Sequence, residues 1–299
     1  MPLKKYLRFL YPIDLITLAY ILLTGIFIIF SSGKLQNEFA HLSVRIFFII
    51  IIGLLIYLNH VFPEKLIQFL RHFYPLALLS YFYPETDYLN NIFFPNLDPF
   101  LANLEVTIFG GHPSIWFAEY FHWRWFSELM NFGYFSYYFL IFIVCFWLYW
   151  KSYENFSYGI FIVCMSFYMY YILFILFPVA GPQYYLTPPD NQVPDGYVFR
   201  EAVKLVHSMG EGPTAAFPSS HVGILLILIY LAYKFARNLL KWLIPIGILL
   251  FLSTVYIKAH YVIDVIAGIL SFPTMYWVSS HTYQIIRNSL SQIINNQDI

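Results

Sequence analysis

Long apolar runs constrain this chain more than any other feature of its sequence. Hydrophobic residues make up 60% of the chain and charged residues only 11%, too few to cover a water-soluble protein. The runs recur at about the 18 to 20 residues that a helix needs to cross a bilayer. They predict spans at residues 13–30, 44–61, 66–83, 127–150, 156–177, 220–236, 241–258 and 261–282. We therefore expect an all-α polytopic membrane protein, a bundle of about eight transmembrane helices, because no run alternates as a membrane barrel requires.

Two of these spans depend on details of the sequence. Arg71, His72 and Pro75 lie in the first half of the third span, which is predicted either to cross the membrane or to form a re-entrant or interfacial helix. The positive residues before the first run resemble the start of a signal peptide. However, Ile13–Phe30 is long for such a signal and no small-residue cleavage site follows. A retained first span is therefore expected.

The distribution of lysine and arginine predicts the orientation of the bundle. With a cytoplasmic N-terminus, the larger set of cations lies inside: Lys4, Lys5, Arg8, Lys65, Arg71, Lys151, Lys234, Arg237, Lys241 and Arg287. The smaller set lies outside: Lys34, Arg45, Arg124, Arg200, Lys204 and Lys258. The positive-inside rule then predicts that both termini are cytoplasmic. The loops after the fifth and seventh spans would face the outer or periplasmic side of a plasma or inner membrane.

Charge and cysteine content exclude two other classes of protein. The formal net charge is zero, so the sequence offers no basic surface for a nucleic-acid partner. Cys145 and Cys164 both lie inside apolar runs. They are expected to be small core residues rather than parts of a disulfide framework.

Two long loops are predicted on the outer side. In residues 85–126, the aromatic stretch Ile115–Trp123 predicts either an interfacial helix or a plain connecting loop with aromatic anchors. Residues 178–219 contain repeated prolines and glycines. Such frequent helix-breaking residues argue against a long helix and favour an ordered loop that covers a site.

Polar residues cluster where the sixth span begins. The segment Ala216–His221 has the sequence Ala-Phe-Pro-Ser-Ser-His, which places Ser219, Ser220 and His221 at a helix N-terminus. The free N–H groups and the helix dipole favour an anion there. An ordinary serine cap beside an interfacial histidine explains the same pattern.

A second polar group lies where the eighth span begins. His260 and Asp264 are one helical turn apart and share a helix face. A carboxylate beside an imidazole accepts its N–H and raises the basicity of the other nitrogen. Lys258 is close enough in sequence to supply positive charge to a phosphate. The simpler interpretations are a buried His–Asp pair that tightens packing and a lysine that extends its ammonium to the interface.

An up-and-down bundle brings the two groups together. The relevant spans end or begin near Pro178, Ser220, Lys258 and His260. All four of these ends then lie on one membrane face. Residues distant in sequence are therefore expected to form one site, and polar groups at such positions in a membrane protein suggest function.

These residues resemble the motifs of the type-2 phosphatidic acid phosphatase superfamily. Pro-Ser-Ser-His at residues 218–221 is similar to that family's Pro-Ser-Gly-His. Ser253, His260 and Asp264 match its Ser-Arg-x5-His-x3-Asp at full spacing. The resemblance covers roughly residues 130–282.

The departures from the family pattern concern mainly charge. Thr254 replaces the arginine of the second motif, and Ser220 replaces the glycine of the first. An earlier family motif, Lys-x6-Arg-Pro, is reduced in Phe177–Pro182 to Pro182, with no lysine or arginine before it. In motif style the chain is closest to the inositol phosphorylceramide synthase and sphingomyelin synthase-like branch, whose members transfer a phospho-alcohol head group between lipids.

The resemblance implies a six-helix-type phosphatase core and a two-step mechanism. His260, oriented by Asp264, attacks phosphorus and becomes a phosphohistidine. His221 protonates the leaving oxygen and then activates water or an acceptor alcohol. The implied phosphate-binding residues are Ser219, Ser220, Lys258, Arg200 and Lys204, the last three as replacements for the missing cations. The scheme needs no metal and no cofactor.

We therefore expect a phosphatase-like core at residues 127–282, N-terminal membrane helices and an outer interfacial loop at residues 1–126, and a cytoplasmic tail at residues 283–299. The expected function is hydrolysis of a phosphate or diphosphate lipid, with the bilayer and that lipid as partners. A head-group phosphotransferase is the first alternative.

Two further interpretations compete with the phosphohistidine scheme. One is hydrolysis by a metal-bound water held by His221, His260 and Asp264. The other is a transporter or a non-catalytic binding protein. The nearly uncharged middles of the sixth and seventh spans argue against a permeation route.

Overall fold

Long helices dominate the computed structural model of the protein. It describes residues 9–31, 35–210 and 212–295. Within these ranges the regular structure is helical and contains no strand. Among the described residues, 6 helices are long and apolar enough to cross a membrane. The expected all-α polytopic membrane fold is therefore confirmed.

The helices follow one another with short connections. The long ones are α1 (Pro12–Ile29), α2 (Glu38–Val61), α3 (Lys65–Leu89), α6 (Arg124–Lys151), α7 (Tyr153–Leu176), α10 (Ser220–Phe235), α11 (Leu240–Tyr256) and α12 (Val262–Asn295). The shorter ones are α4 (Asp98–Phe109), α5 (Pro113–Tyr120), α8 (Pro182–Tyr185) and α9 (Val198–Gly210), and a 3-10 turn at Arg237–Leu239 precedes α11.

Two of the predicted spans, α3 and α10, form helices but are not among the 6 with membrane-spanning length and composition. α10 has only 16 residues, fewer than a bilayer normally requires. However, Leu225, Ile227 and Leu228 are fully buried, so neighbouring helices rather than lipid surround α10. A helix enclosed by protein does not need an apolar surface of full membrane length.

The polar residues of α3 are neutralised inside the bundle. Arg71 forms a buried ion pair with Asp14 of α1, and the hydroxyl of Tyr74 donates to the same carboxylate at 2.6 Å. A buried charge is tolerated in a membrane protein when it is paired and hydrogen-bonded in this way. The polar residues that made this span ambiguous therefore face other helices of the bundle and not lipid.

The course of α3 shows that it passes through the depth of the bundle. Near its start, Phe73 contacts Phe156 at the beginning of α7, with ring centroids 5.2 Å apart. At its end, Leu89 packs in one cluster with Ile175 near the end of α7. α3 therefore runs alongside α7 and does not turn back as a re-entrant helix would.

Main-chain hydrogen bonds join several helix ends at one face of the bundle, called here the site face. They run from Leu97 N to Pro178 O (2.8 Å), Ala216 N to Val179 O (3.0 Å), Gln183 N to Lys258 O (2.8 Å) and Ser219 N to Asp264 O (3.0 Å). The end of α7, the start of α10, the end of α11 and the start of α12 therefore meet, as the sequence predicts.

The two ends of the described chain lie at the opposite face. Arg287 of α12 bonds to Glu154 at the start of α7 at 2.8 Å. Tyr11, just before α1, lies beside Tyr153 with ring centroids 6.4 Å apart. Four cations that entered the orientation prediction lie outside the described residues: Lys4, Lys5, Arg8 and Lys34. The cytoplasmic placement of the termini stays a prediction.

The long loops contain more helix than the sequence predicts. α5 confirms a helix in the aromatic stretch, with Trp116 47% and Tyr120 73% exposed, but α4 was not predicted. α9 has 13 residues, so the prolines and glycines of residues 178–219 bound a helix of moderate length. α12 continues past residue 282 to Asn295. Most of the predicted tail is therefore helical, and residues 296–299 lie outside the described chain.

Candidate active site

Ser219 fixes the start of α10 and thereby the position of His221. Its Oγ accepts a hydrogen bond from the N–H of Val222 at 3.4 Å, so Ser219 is the N-cap of α10. Its own N–H donates to the main-chain oxygen of Asp264. Ser219 and Ser220 are both buried. The N-terminus of α10 is therefore held against the first turn of α12.

His221 and His260 face each other across the site. Nδ1 of His221 lies 3.1 Å from Nε2 of His260. Nδ1 of His260 lies 2.7 Å from the carbonyl oxygen of Ala216. A carbonyl can only accept, so Nδ1 of His260 carries a proton. In neutral His260 the lone pair then lies on Nε2, which accepts the N–H of His221.

Asp264 has a different contact from the one predicted for it. Its Oδ2 is 3.6 Å from Nδ1 of His260, which is longer than a hydrogen bond. It accepts instead from the N–H of Tyr261 at 2.8 Å. The Ala216 carbonyl therefore sets the tautomer of His260, while Asp264 anchors the first turn of α12 directly behind the ring.

The geometry does not suit a metal held by His221, His260 and Asp264. His221 meets Nε2 of His260, whereas Asp264 lies near Nδ1 on the other edge of the same ring. One ion cannot bind both groups together with His260. In the described part of the chain, no group of 3 or more His, Cys, Asp or Glu side chains is placed to hold a metal.

Two tyrosines of α6 enclose the ring of His221. The ring centroids of Tyr134 and Tyr137 lie 4.8 Å and 4.5 Å from that of His221. The hydroxyl of Tyr137 also donates to the main-chain oxygen of Ser220 at 3.4 Å. α6 therefore forms one wall of the site and limits the rotation of His221.

Comparison with known families identifies the superfamily of the chain. The family model of the PAP2 superfamily matches residues 100–278, more than half of the chain, and this range contains both histidines and Asp264. The chain belongs to the PAP2 superfamily. Membership supports a lipid phosphatase-type function. No curated protein and no solved structure matches the chain significantly.

In this PAP2 protein Lys258 binds the loop between α8 and α9. Its ammonium donates to the carbonyl oxygens of Asp190 at 2.5 Å and Gln192 at 2.6 Å. Burial lowers the pKa of Lys258. An ammonium has three donors, so the loop uses two of them. Lys258 therefore fastens the loop to the site face, and the predicted phosphate contact would depend on its third donor.

The other two predicted phosphate-binding cations lie on α9. Arg200 is half-buried, and burial lowers its pKa. Its Nε is buried and has no hydrogen-bond partner among the described residues. Lys204 is exposed and forms an ion pair with Glu201 at 2.7 Å. Arg200 is therefore the more suitable of the two to receive an anionic group.

Asp98 of α4 is a buried carboxylate that the sequence did not reveal as part of the site. It accepts the N–H groups of Ala180 at 2.6 Å and Gly181 at 2.9 Å, and the hydroxyl of Tyr261 at 3.1 Å. Ala180 and Gly181 belong to the segment where the family's Lys-x6-Arg-Pro motif is degraded. Asp98 therefore holds this segment next to the residue that follows His260.

Glu105, also in α4, was missed in the same way. It accepts the N–H of Val262 at 2.7 Å and a hydrogen bond from Nδ1 of His112 at 2.9 Å. Burial raises the pKa of Glu105, and the bonds from His112 and Val262 oppose that rise. The available signal was the presence of two carboxylates in a mostly apolar stretch, residues 97–109.

Replacing Asp98 with alanine is expected to lower the free energy of unfolding by about 3 kcal/mol or more. The reason is that three buried donors lose their acceptor, and each costs about 1–3 kcal/mol when left unpaired. Denaturant unfolding in detergent measures the change. Asp87→Ala is the control, because the Asp87 side chain is half-buried and its one hydrogen bond among the described residues is a 3.5 Å bond from Asn90. Equal losses in the two variants would contradict the role given to Asp98.

Proposed function

We propose that the protein is an integral membrane lipid phosphoesterase that hydrolyses a phosphate or diphosphate lipid through a phosphohistidine at His260. The observation that carries this proposal is the hydrogen bond from Nδ1 of His260 to the Ala216 carbonyl. It leaves the lone pair on Nε2, directed at the second histidine. A nucleophile next to a group that can exchange protons is the arrangement that covalent catalysis requires.

The reaction proceeds in two steps. Nε2 of His260 bonds to phosphorus as the bond from phosphorus to the lipid oxygen breaks, and protonated His221 gives its proton to that oxygen. His221 then takes a proton from water, whose oxygen bonds to phosphorus as the bond from phosphorus to Nε2 of His260 breaks, which releases inorganic phosphate and free His260. The 3.1 Å between the two nitrogens leaves no room for a phosphoryl group, so substrate binding has to separate the two rings.

Positive charge and N–H groups around the histidines would bind the phosphoryl oxygens. The start of α10 offers the Ser219 hydroxyl and the N–H of Ser220. Arg200, Lys204 and Lys258 are proposed to compensate for the cations missing from the family motifs. Phosphoryl transfer depends mainly on such positioning and charge stabilisation.

The burial of both histidines favours a second candidate, transfer to an alcohol instead of water. His221 is 6% and His260 2% exposed. A site that admits little water suits an acceptor lipid, as in the inositol phosphorylceramide synthase-like branch whose motif style the chain resembles. In this alternative an acceptor hydroxyl takes the place of water in the second step.

The outer or periplasmic face of a plasma or inner membrane is the proposed location of the site. The positive-inside rule supports it, since Lys151, Lys234, Lys241 and Arg287 fall on the side opposite to the histidines in the predicted orientation. The termini would then be cytoplasmic.

Purified protein with phosphatidate or a diphosphate lipid, in the presence of a chelator, tests the proposed function. Release of inorganic phosphate supports the hydrolase. Head-group exchange on addition of an acceptor alcohol lipid, without phosphate release, supports the transferase. Inertness in both assays would overturn both assignments and favour a non-catalytic binding protein or transporter.

Neutralising Arg200 is expected to lower kcat/KM by about tenfold, the effect of losing one charge-assisted hydrogen bond of roughly 1.5 kcal/mol. Arg200→Gln is compared with Lys204→Gln on the same helix, because Lys204 is exposed and already paired with Glu201. Lys204→Gln is expected to stay within about twofold of the wild type. Equal effects would show that α9 contributes only general positive charge.

A further inference from the structure

An apolar groove leads from the histidines into the membrane region of the bundle. It has a volume of about 930 Å³, and Ser220 and His221 line one end of it. Its two walls come mainly from α3 and α6 and its floor from α7, and Leu55 of α2 and Val206 and Gly210 of α9 complete the lining. Both walls pack closely on α7 but make few contacts with each other. The groove therefore opens sideways between α3 and α6, toward lipid.

The groove is deeper than one leaflet of a bilayer. Along α3 its lining runs from Pro84 near the site face to Phe69, about fifteen residues or roughly 22 Å of helix. One leaflet contributes only about 15 Å of hydrocarbon. Aromatic contacts close the far end, with Phe73 5.8 Å from Phe142 and Phe69 6.2 Å from Tyr149 between ring centroids.

The lining has the polarity of an amphiphile's binding site. The surface of the groove is mainly apolar, although Ser80 and several tyrosines also line it, and its one imidazole among the described residues, that of His221, lies at the end that reaches the site. Leu70 is 46% and Phe142 48% exposed on the walls. Ala77, also exposed, is a small side chain that leaves the middle of the groove wide. A ligand that fits has one phosphate-like end and a long apolar part.

We infer that the groove holds a hydrocarbon chain of the lipid phosphate, with the phosphoryl group at His221 and the chain running past Ala77 toward Phe69. This inference rests on the proposed function and adds the place in this fold where the hydrocarbon chain of that lipid lies. It also assigns a role to α3, which precedes the residues 100–278 matched by the PAP2 family model. The N-terminal helices then supply one wall of the substrate site.

Ala77→Trp tests this assignment, because an indole at position 77 blocks the groove between the histidines and its far end. The substrates are hexyl phosphate and hexadecyl phosphate in the same detergent. We expect kcat/KM for hexadecyl phosphate to fall by about tenfold or more, which corresponds to the loss of about two buried methylenes. For hexyl phosphate, kcat/KM should change by less than about twofold. Ile143→Trp is the control, since Ile143 is an exposed α6 residue outside the lining.

The possible outcomes distinguish failure of the groove assignment from failure of the proposed function. Absence of turnover in the wild type contradicts the proposed function. If the wild type is active but Ala77→Trp changes both substrates equally, or changes neither, the chain does not lie in the groove. A selective loss in Ile143→Trp as well would show a general effect on the membrane region and would also overturn the assignment.

A second measurement does not depend on turnover. A long-chain alkyl phosphate with a photoactivatable diazirine at its terminal carbon is irradiated with the full-length protein. Labelling of the α3 segment around Phe69 and Phe73 is expected, and its loss in Ala77→Trp with retention in Ile143→Trp supports the inference. Labelling confined to α11 or α12 would place the chain elsewhere and overturn it.

Discussion

Replacing His260 with alanine is expected to lower turnover of a lipid phosphate by about ten-thousand-fold or more, the usual scale for removal of a nucleophile from a catalytic unit. The bond from Nε2 of His260 to phosphorus is the one new bond of the proposed first step. Without His260, neither phosphate release nor head-group transfer can proceed. The loss should appear in kcat. Substrate binding should change little, because the phosphate-binding groups and the groove remain.

The matched control for this variant is His122→Ala. His122 is exposed just after α5, where its ring bonds to the carbonyl of Glu119 and lies beside Trp123, away from the two site histidines. It should keep full activity. Thermal unfolding of both variants is also needed, because His260→Ala leaves the buried carbonyl of Ala216 without its donor.

Trapping of the intermediate makes the test specific for the mechanism. With a lipid carrying a labelled phosphate, rapid denaturation should leave label on the wild type that is stable to base and labile to acid, as a phosphoramidate is. His260→Ala should carry none. Retained activity in a folded His260→Ala protein, or label on a different residue, would contradict the proposed nucleophile.

Much of the fold was predictable because the bilayer imposes a simple length rule. Apolar runs of membrane length gave the positions of all the long helices, including the ambiguous α3. The rule fails for α4, whose 12 residues are too few to produce a membrane-length run. It also misplaces the end of α12, since a helix can leave the membrane and continue in water without any change in its backbone bonding.

The meeting of the two histidines was predictable from the order and direction of the helices. His221 and His260 meet as expected because both lie at helix ends on one face. The acceptor of His260 was not predictable, because it is the main-chain carbonyl of Ala216, and every residue has one. Spacing pointed to Asp264 instead, which lies nearby but bonds to Tyr261.

The hydrogen-bond partners of the other polar residues near the site come from distant parts of the chain. Such tertiary contacts cannot be read from local sequence patterns. The Lys258 ammonium bonds to carbonyls of Asp190 and Gln192, far along the chain. Asp98 and Glu105 reach the site only because α4 lies against the start of α12. The roles predicted for Ser219, Ser220, Arg200 and Lys204 stay predictions until phosphate binding is measured.

His221→Ala is expected to give the second-largest loss, about a hundred- to ten-thousand-fold with a lipid phosphate, the range for removal of a general acid–base group. The reason is that a lipid alkoxide is a poor leaving group unless it is protonated as its bond to phosphorus breaks. Turnover with long-chain phosphates measures this loss. His207→Ala, on α9 against Tyr134, is the matched control and should lose far less.

Changing the leaving group of the substrate distinguishes the proposed role of His221, proton donation, from that of His260, attack on phosphorus. The p-nitrophenolate of an aryl phosphate such as p-nitrophenyl phosphate leaves without taking up a proton. His221→Ala should therefore still form phosphohistidine with this substrate in a rapid first burst. The intermediate should then persist, because no residue activates water for the second step. His260→Ala should show no burst with either substrate. If the aryl substrate does not restore the burst in His221→Ala, the residue positions the phosphoryl group instead of donating the proton, and the acid in the first step must be sought among the other groups of the site.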